Sequence, residues 1–328
     1  MFILRSLAAT AVVLMSAHAQ AAELRMLSTF PEGFVYTREV AHPFMDAVAR
    51  ETGGNLTVKL AGPEAVPPLE QLEPVQAGAF DLLFTHPAYH AGATSLGIAI
   101  DAVRSDPAER RDAGVIDFLD EHYQKIGIKL IAAVPLGTHG FRYFLRQPIT
   151  GAPSFAARKI RGTISYFPMI EALGGSGVIM GGGDVYSALQ TGVVDGAAWG
   201  LTGALDFKWY EVAGYMADPV FGQVGVMVLM NLDAWEGLDD ADREAIEKLA
   251  RTIELDSVAK FDRLAGEEKE ALLAKGMKIT EFPESDATRL EMLWSEGVWQ
   301  VASKTAAEEA KALRALAAGA GLADPAAE

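Results

Sequence analysis

Apolar and polar positions alternate along this chain in two rhythms. Residues 23–29 are apolar at alternate positions, as a strand with one buried face requires. Residues 38–51 carry apolar side chains at helical spacing up to a break at Thr52-Gly53-Gly54, where glycine accepts the left-handed turn that ends a helix. Residues 55–61 return to a strand pattern. A run opened by Pro67-Pro68 and closed by Gly78 reads as a helix, and residues 80–84 as a buried strand. The second half repeats this grammar: residues 129–134, 142–145 and 159–164 read as strands, and residues 225–230 as a strand buried on both faces. Thereafter the pattern turns helical. Ile246, Leu249, Ile253, Val258, Phe261 and Leu264 mark a helix over 239–264, and Leu290, Leu293 and Val298 another over 286–301; the tail beyond Gly319 is expected to fray. Strands alternating with helices predict an α/β fold. No repeat or flexible linker divides the sequence, so the expectation is of lobes that share strands and exchange chain more than once.

Targeting and charge narrow the setting. Residues 1–21 have the form of a signal peptide: a single charged side chain, Arg5, an apolar run, and Ala17, Ala19 and Ala21 as small residues for cleavage. The mature chain of about 307 residues is therefore expected in the periplasm, and it is long enough for two lobes at roughly 100–200 residues each. No later segment approaches the roughly 18 uninterrupted apolar residues of a membrane-spanning helix. Absence of cysteine removes disulfides, thiol nucleophiles and Cys-ligated zinc from consideration. The formal net charge of −16, becoming −17 once Arg5 is removed, argues against nucleic acid and anionic membrane surfaces as partners. An anionic ligand must then be captured by a local arginine against the overall field.

The stretch Ile179-Met180-Gly181-Gly182-Gly183-Asp184-Val185 raises the question of a phosphate cradle. A Walker loop needs Lys and then Ser or Thr after its glycines, and Asp184-Val185 stands there; the dinucleotide fingerprint fails too, because Tyr186 occupies the place of its third glycine. The run reads instead as a turn before a short helix capped by Asp184 and closed by Gly192. His86 and His90 have the i, i+4 spacing of a metal-binding pair, yet Pro87 replaces the Glu of a zinc protease and no third ligand is evident, so no metal is expected. No G-x-S-x-G nucleophile elbow occurs. An exported α/β hydrolase acting on a small organic acid stands as the alternative to a binding protein. Tyr166, Phe167, Trp199, Phe207, Trp209 and Tyr210 read as core aromatics unless they border a cleft.

Four motifs in order carry a family resemblance. Tyr186-Ser187-Ala188-Leu189-Gln190-Thr191-Gly192-Val193-Val194-Asp195-Gly196 closely resembles the YTALQTGVVDG segment of the DctP-type solute-binding proteins of tripartite ATP-independent periplasmic (TRAP) transporters. Glu51-Thr52-Gly53-Gly54-Asn55-Leu56 resembles their ETGGRL segment, Val75-Gln76-Ala77-Gly78-Ala79-Phe80-Asp81 their VQxGxxD, and Arg158-Lys159-Ile160-Arg161-Gly162 their LKIR strand. The resemblance implies a hinged, two-lobed α/β receptor with a long helix spanning both lobes, lobe I comprising 22–137 plus 224–265 and lobe II 138–223 plus 266–328. It implies an organic acid enclosed between the lobes, no cofactor, no catalytic residue, and a monomer that delivers its ligand to the small and large integral membrane subunits. Arg161 falls where the family grips the ligand carboxylate, a role suited to the planar fork of a guanidinium. Arg142 is the candidate second contact on the strand entering that lobe. Trp199 follows the VDG motif where many members have Asn or a Trp-Glu pair; without an acidic residue there, metal-assisted carboxylate binding is not expected. Gly182 stands where relatives place a bulkier pocket residue, and Tyr89 and His86 complete the candidate ligand-binding set.

Overall fold

The computed structural model describes residues 22–325, so the expected signal peptide at 1–21 lies outside the described residues. Chain order begins with β1 (Ala22–Ser28), β2 (Leu56–Ala61), β3 (Leu82–Thr85) and β4 (Ile128–Pro135). It continues through β5 (Phe141–Leu145), β6 (Lys159–Arg161), β7 (Ser176–Val178), β8 (Gly196–Gly200) and β9 (Tyr215–Asp218), and closes with β10 (Gly225–Asn231) and β11 (Lys278–Glu281). They form two sheets, ordered β2-β1-β3-β10-β4 and β11-β9-β5-β8-β6-β7. In the first, β10 lies antiparallel between β3 and β4; in the second, β5 lies antiparallel between β9 and β8. The first sheet is buried on both faces, and strand periodicity sorts its residues: Met26, Phe84 and Val228 face one core, Leu27, Leu83, Met227 and Leu229 the other.

The chain crosses between the lobes twice within a few residues, from β4 to β5 and from β9 back to β10. The two crossings are zipped together: Phe141 and Phe221 exchange backbone hydrogen bonds at 2.8 and 3.1 Å, and the Leu136 N–H donates to the Val224 carbonyl at 3.0 Å. A third link is the 35-residue helix Asp240–Ala274, about 52 Å long at 1.5 Å per residue. Asp239 caps its start, accepting from the Asp242 N–H at 2.8 Å. Midway, the Glu254 carboxylate accepts from Arg111 at 2.6 and 2.8 Å and from the Ala133 N–H at 2.8 Å, fixing the helix to the first lobe. Farther along, Glu268 accepts from the N–H groups of Gly203 and Leu205 at 2.8–2.9 Å, fixing it to the second.

The departures from the sequence reading have local causes. Pro43 cannot donate a hydrogen bond, and the helix read from 38 opens with a wide π turn, Thr37–Ala41, before His42–Glu51. Asp184 precedes the helix Val185–Thr191 but does not cap it with its side chain, because its backbone is already helical after the tight turn Gly182–Asp184. Gly192 does end that helix, at φ 76°. The tail is not frayed through Pro325: a helix Ala307–Gly319 buries Leu313, Leu322 is buried beyond it, and the Arg104 N–H donates to the Leu322 carbonyl at 2.8 Å. Trp299, Leu313 and Leu322 join the outer core of the first sheet, although the sequence assigns 266–328 to the second lobe.

Burial pushes the Glu268 carboxyl up to about 7 in spite of its amide donors. A carboxyl that holds its proton more tightly folded than unfolded adds stability below the ordinary carboxylate range, and that stability is lost as pH rises through about 7. Between pH 5 and 8, unfolding free energy from chemical denaturation should fall in the wild type relative to Glu268→Gln by on the order of 1–3 kcal/mol. Parallel pH profiles for the two proteins would contradict this role.

Candidate functional site

A small cavity, of about 30 Å³, lies between the sheets, where strand ends from both lobes converge. Phe30 follows β1, His86 and Tyr89 follow β3, and Val224 precedes the returning β10; from the other lobe come Arg161 at the end of β6, Trp199 and Gly200 at the end of β8, and Phe141 at the start of β5. Ligand sites of open α/β sheets form at such strand ends, since that is where backbone leaves the ladder and side chains are free to converge. Six aromatic rings, those of Phe30, Tyr36, Tyr89, Phe141, Tyr166 and Trp199, make most of the wall.

Arg161 is the cavity's cation, and it is fully buried. Its Nε and Nη2 donate to the Met180 carbonyl at 3.1 and 2.7 Å, Nη1 donates to the Ala198 carbonyl at 3.0 Å, and Nη2 donates to the Tyr89 hydroxyl at 3.3 Å. The Trp199 ring lies 4.8 Å from Cζ, a cation–π contact. No carboxylate pairs with it among the described residues. Arg110, buried to the same degree, also donates only to carbonyls, those of Ile100, Val103 and Arg104, but it lies away from the cavity; Arg111, Arg142 and Arg314 each hold a carboxylate, at 2.6, 2.7 and 2.5 Å. A buried charge costs several kcal/mol to desolvate, and carbonyl dipoles offset only part of that. The arrangement is therefore a ready anion receptor: positive charge, rigid orientation and no resident counter-ion.

Of the other residues singled out from sequence, the structure brings Tyr89, His86 and Trp199 to the cavity with Arg161. Tyr89 comes from the first lobe and touches Arg161 of the second, so the site spans the cleft. His86 borders the cavity: its Nδ1 accepts from the Ala88 N–H at 3.2 Å, and its Nε2 lies 3.0 Å from Asp101 Oδ2. Asp101 is fully buried, and burial raises its carboxyl above the usual range. His90 does not share this site. Its Nε2 lies 2.7 Å from the Tyr123 hydroxyl, and burial pushes its pKa down to about 3. The two histidines sit on a short 3-10 turn, Pro87–His90 with His86 as its cap, and no group of three potential metal ligands occurs among the described residues.

Gly182 lies outside the inner cavity. It lines an outer cleft of about 370 Å³ with Pro67, Pro68 and Phe207, and it packs on the indole of Trp199. Arg142 is not brought to the cavity either. It pairs in register with Trp199 across β5 and β8, but its guanidinium runs sideways to β9, where Nη2 donates to Asp218 Oδ1 at 2.7 Å beside Lys269 of the long helix. Residues the sequence reading did not single out as contacts are Phe30, Tyr36, Phe141, Thr163 and Val224. In the sequence they are indistinguishable from core, and Tyr166, read as core, borders the cavity too.

Across residues 28–304 the chain matches the bacterial extracellular solute-binding proteins, family 7 (DctP). The chain belongs to that family. It is a solute-binding receptor and not an enzyme, which sets aside the exported hydrolase. It is 30% identical over 127 residues to a solute-binding protein of Chromohalobacter salexigens, an alignment spanning 39% of this chain and 38% of that protein. It is 26% identical over 305 residues to the monocarboxylate 2-oxoacid-binding periplasmic protein of a Nostoc species, covering 86% of this chain and 80% of the relative. Among solved structures, a TRAP periplasmic solute binding protein from Desulfovibrio salexigens with bound orotic acid superimposes with a TM-score of 0.79 at 20% identity, covering 91% of this chain and 99% of that one. The two-lobed fold is thus that of the TRAP solute-binding proteins.

The position of Arg142 makes a prediction. Arg142→Ala should leave ligand affinity within about threefold of wild type but lower stability by about 1–3 kcal/mol, because the partly buried Asp218 loses a buried partner. Calorimetric titration alongside denaturant unfolding checks both halves; a large loss of affinity at unchanged stability would return Arg142 to the ligand site.

Proposed function

We propose that this receptor captures a compact monocarboxylate in the periplasm and, as a monomer, delivers it to the small and large membrane subunits of a TRAP transporter. The observation that carries the reading is the buried Arg161 guanidinium, without a carboxylate partner, in the wall of an aromatic cavity between the lobes. A ligand carboxylate supplies the missing counter-charge: four of the five N–H donors are taken by Met180, Ala198 and Tyr89, and the remaining one, on Nη1, makes a charge-assisted hydrogen bond that is strong in a dry site. Since Tyr89 and Arg161 meet across the cleft, the ligand contacts both lobes only when they are together, which shifts the population toward the closed form.

The preference for one carboxylate over two follows from the rest of the wall. A second carboxylate in this cavity meets no second arginine or lysine: the rest of the polar wall is the hydroxyls of Tyr36, Tyr89, Thr163 and Tyr166 and a histidine that faces Asp101, so its charge is desolvated with less compensation. The name of the Nostoc relative and the orotic acid bound to the Desulfovibrio salexigens protein, each with a single carboxylate, support the same class.

Calorimetry against pyruvate, 2-oxobutyrate, pyroglutamate, orotate, malonate and succinate tests the proposal. The tightest binder should be a monocarboxylate, favoured over the dicarboxylates by at least tenfold. Arg161→Ala should weaken it by about 2–5 kcal/mol, roughly 30-fold to several thousand-fold in Kd. Wild-type affinity in that variant, or a dicarboxylate as best ligand, would overturn the assignment.

A further inference from the structure

The inner cavity and the outer cleft share three residues, Phe30, Tyr89 and Trp199, and among these the indole of Trp199 also covers the guanidinium. Its position is fixed from several sides. Arg161 lies over its face at 4.8 Å, Phe207 and Trp209 meet it edge-on at centroid distances of 5.4 and 5.7 Å, and Phe34 does so at 6.0 Å. At its outer rim sits Gly182. A Cβ built there falls 2.7 Å from Trp199 Cη2 and 3.1 Å from Cζ3, so any larger residue drives the ring inward unless the backbone moves. Gly182 has no left-handed backbone to explain it; the close approach of the indole is what requires a glycine. The indole N–H is buried and finds no partner among the described residues, so this edge is retained for its shape and not for a hydrogen bond.

We propose that Trp199, seated on Gly182, is the partition that sets ligand length in this receptor. The proposal rests on Arg161 as the carboxylate anchor. A carboxylate held there has only the small inner cavity, of about 30 Å³, in which to place its body, and past the indole lies a cleft of about 370 Å³ between Pro67-Pro68 of one lobe and the triglycine turn of the other. The partition confines ligands to a short body next to the carboxylate. Removing it joins the two volumes and extends the acceptable body along the line from Arg161 past Gly182. The triglycine turn that resembles a phosphate cradle in sequence is thereby a seat for a side chain.

The test compares pyruvate with phenylpyruvate, which share the anchoring group and differ in the body behind it. In the wild type, calorimetry should show pyruvate bound at least tenfold more tightly. Trp199→Ala should reverse or abolish that ratio, mainly by gaining phenylpyruvate affinity, and Trp199→Phe should fall between the two, which keeps the test open if the alanine variant does not fold. Gly182→Ala should act in the opposite sense, weakening both acids by tenfold or more and phenylpyruvate the more. An unchanged pyruvate-to-phenylpyruvate ratio in the Trp199 variants, or a wild type that accepts both equally, overturns the partition. Loss of all carboxylate binding by the wild type strikes instead at the reading of Arg161, and the two failures are told apart by that control.

Discussion

A guanidinium without a counter-ion, buried where two lobes meet, is the constraint around which this receptor is built. Burying Arg161 is unfavourable, and the protein accepts it because carbonyls of Met180 and Ala198 and the Trp199 ring hold the charge in place without neutralising it. The neighbouring elements serve that end. Strand β6 delivers Arg161 at its last residue, the turn after β7 offers the Met180 carbonyl, β8 offers the Ala198 carbonyl and the Trp199 ring, and the first lobe contributes the Tyr89 hydroxyl.

Bringing the lobes to that point requires few linkages. The paired crossings at Phe141 and Phe221 form one side of the hinge, and the long helix bridges the other through Glu254 and Glu268. On the cleft side the loop after β8 reaches the first lobe: Asp206 accepts from the Val35 N–H at 2.8 Å and from Arg38 at 3.2 Å, and the Tyr36 hydroxyl donates to the Thr202 carbonyl at 3.2 Å. Beside these polar contacts Phe34 of the first lobe stacks on Phe207 at a centroid distance of 4.6 Å and meets Trp199 edge-on at 6.0 Å, so the cleft is closed by aromatic packing as well. One face of the first sheet is covered by its own helices, while the core on its other face runs on without a break into the second sheet, joining Met26, Phe84 and Val228 to Phe144 and Trp209.

Much of this was legible in the sequence. The strand and helix rhythms located the first-lobe strands to within a few residues, because those strands are long and buried on one or both faces. In the second lobe β5 and β6 were legible, but β7, β8, β9 and β11 were not: β7 and β8 are Ser-Gly-Val and Gly-Ala-Ala-Trp-Gly, too small in side chain and too brief to show a period. Their smallness has a reason, since the Cβ that Gly196 lacks would strike Leu145 and the Phe144 carbonyl of the adjoining strand. For the site, the motif placed Arg161, and the structure puts it in the cavity wall with Tyr89, His86 and Trp199. Arg142 could not be placed from sequence because its direction is set by Asp218, 76 residues away, and the aromatic wall could not be told from core because chemically it is core, differing only in facing a cavity.

The claim that Arg161 is held for a carboxylate is tested most directly by a crystal structure of the protein saturated with the tightest-binding acid of a carboxylate panel. The account predicts the carboxylate within about 3 Å of a guanidinium nitrogen of Arg161, in the cavity bounded by Phe30, Phe141 and Trp199, with the lobes closed over it. A bound acid whose carboxylate lies elsewhere, while Arg161 still donates only to Met180, Ala198 and Tyr89, would contradict it.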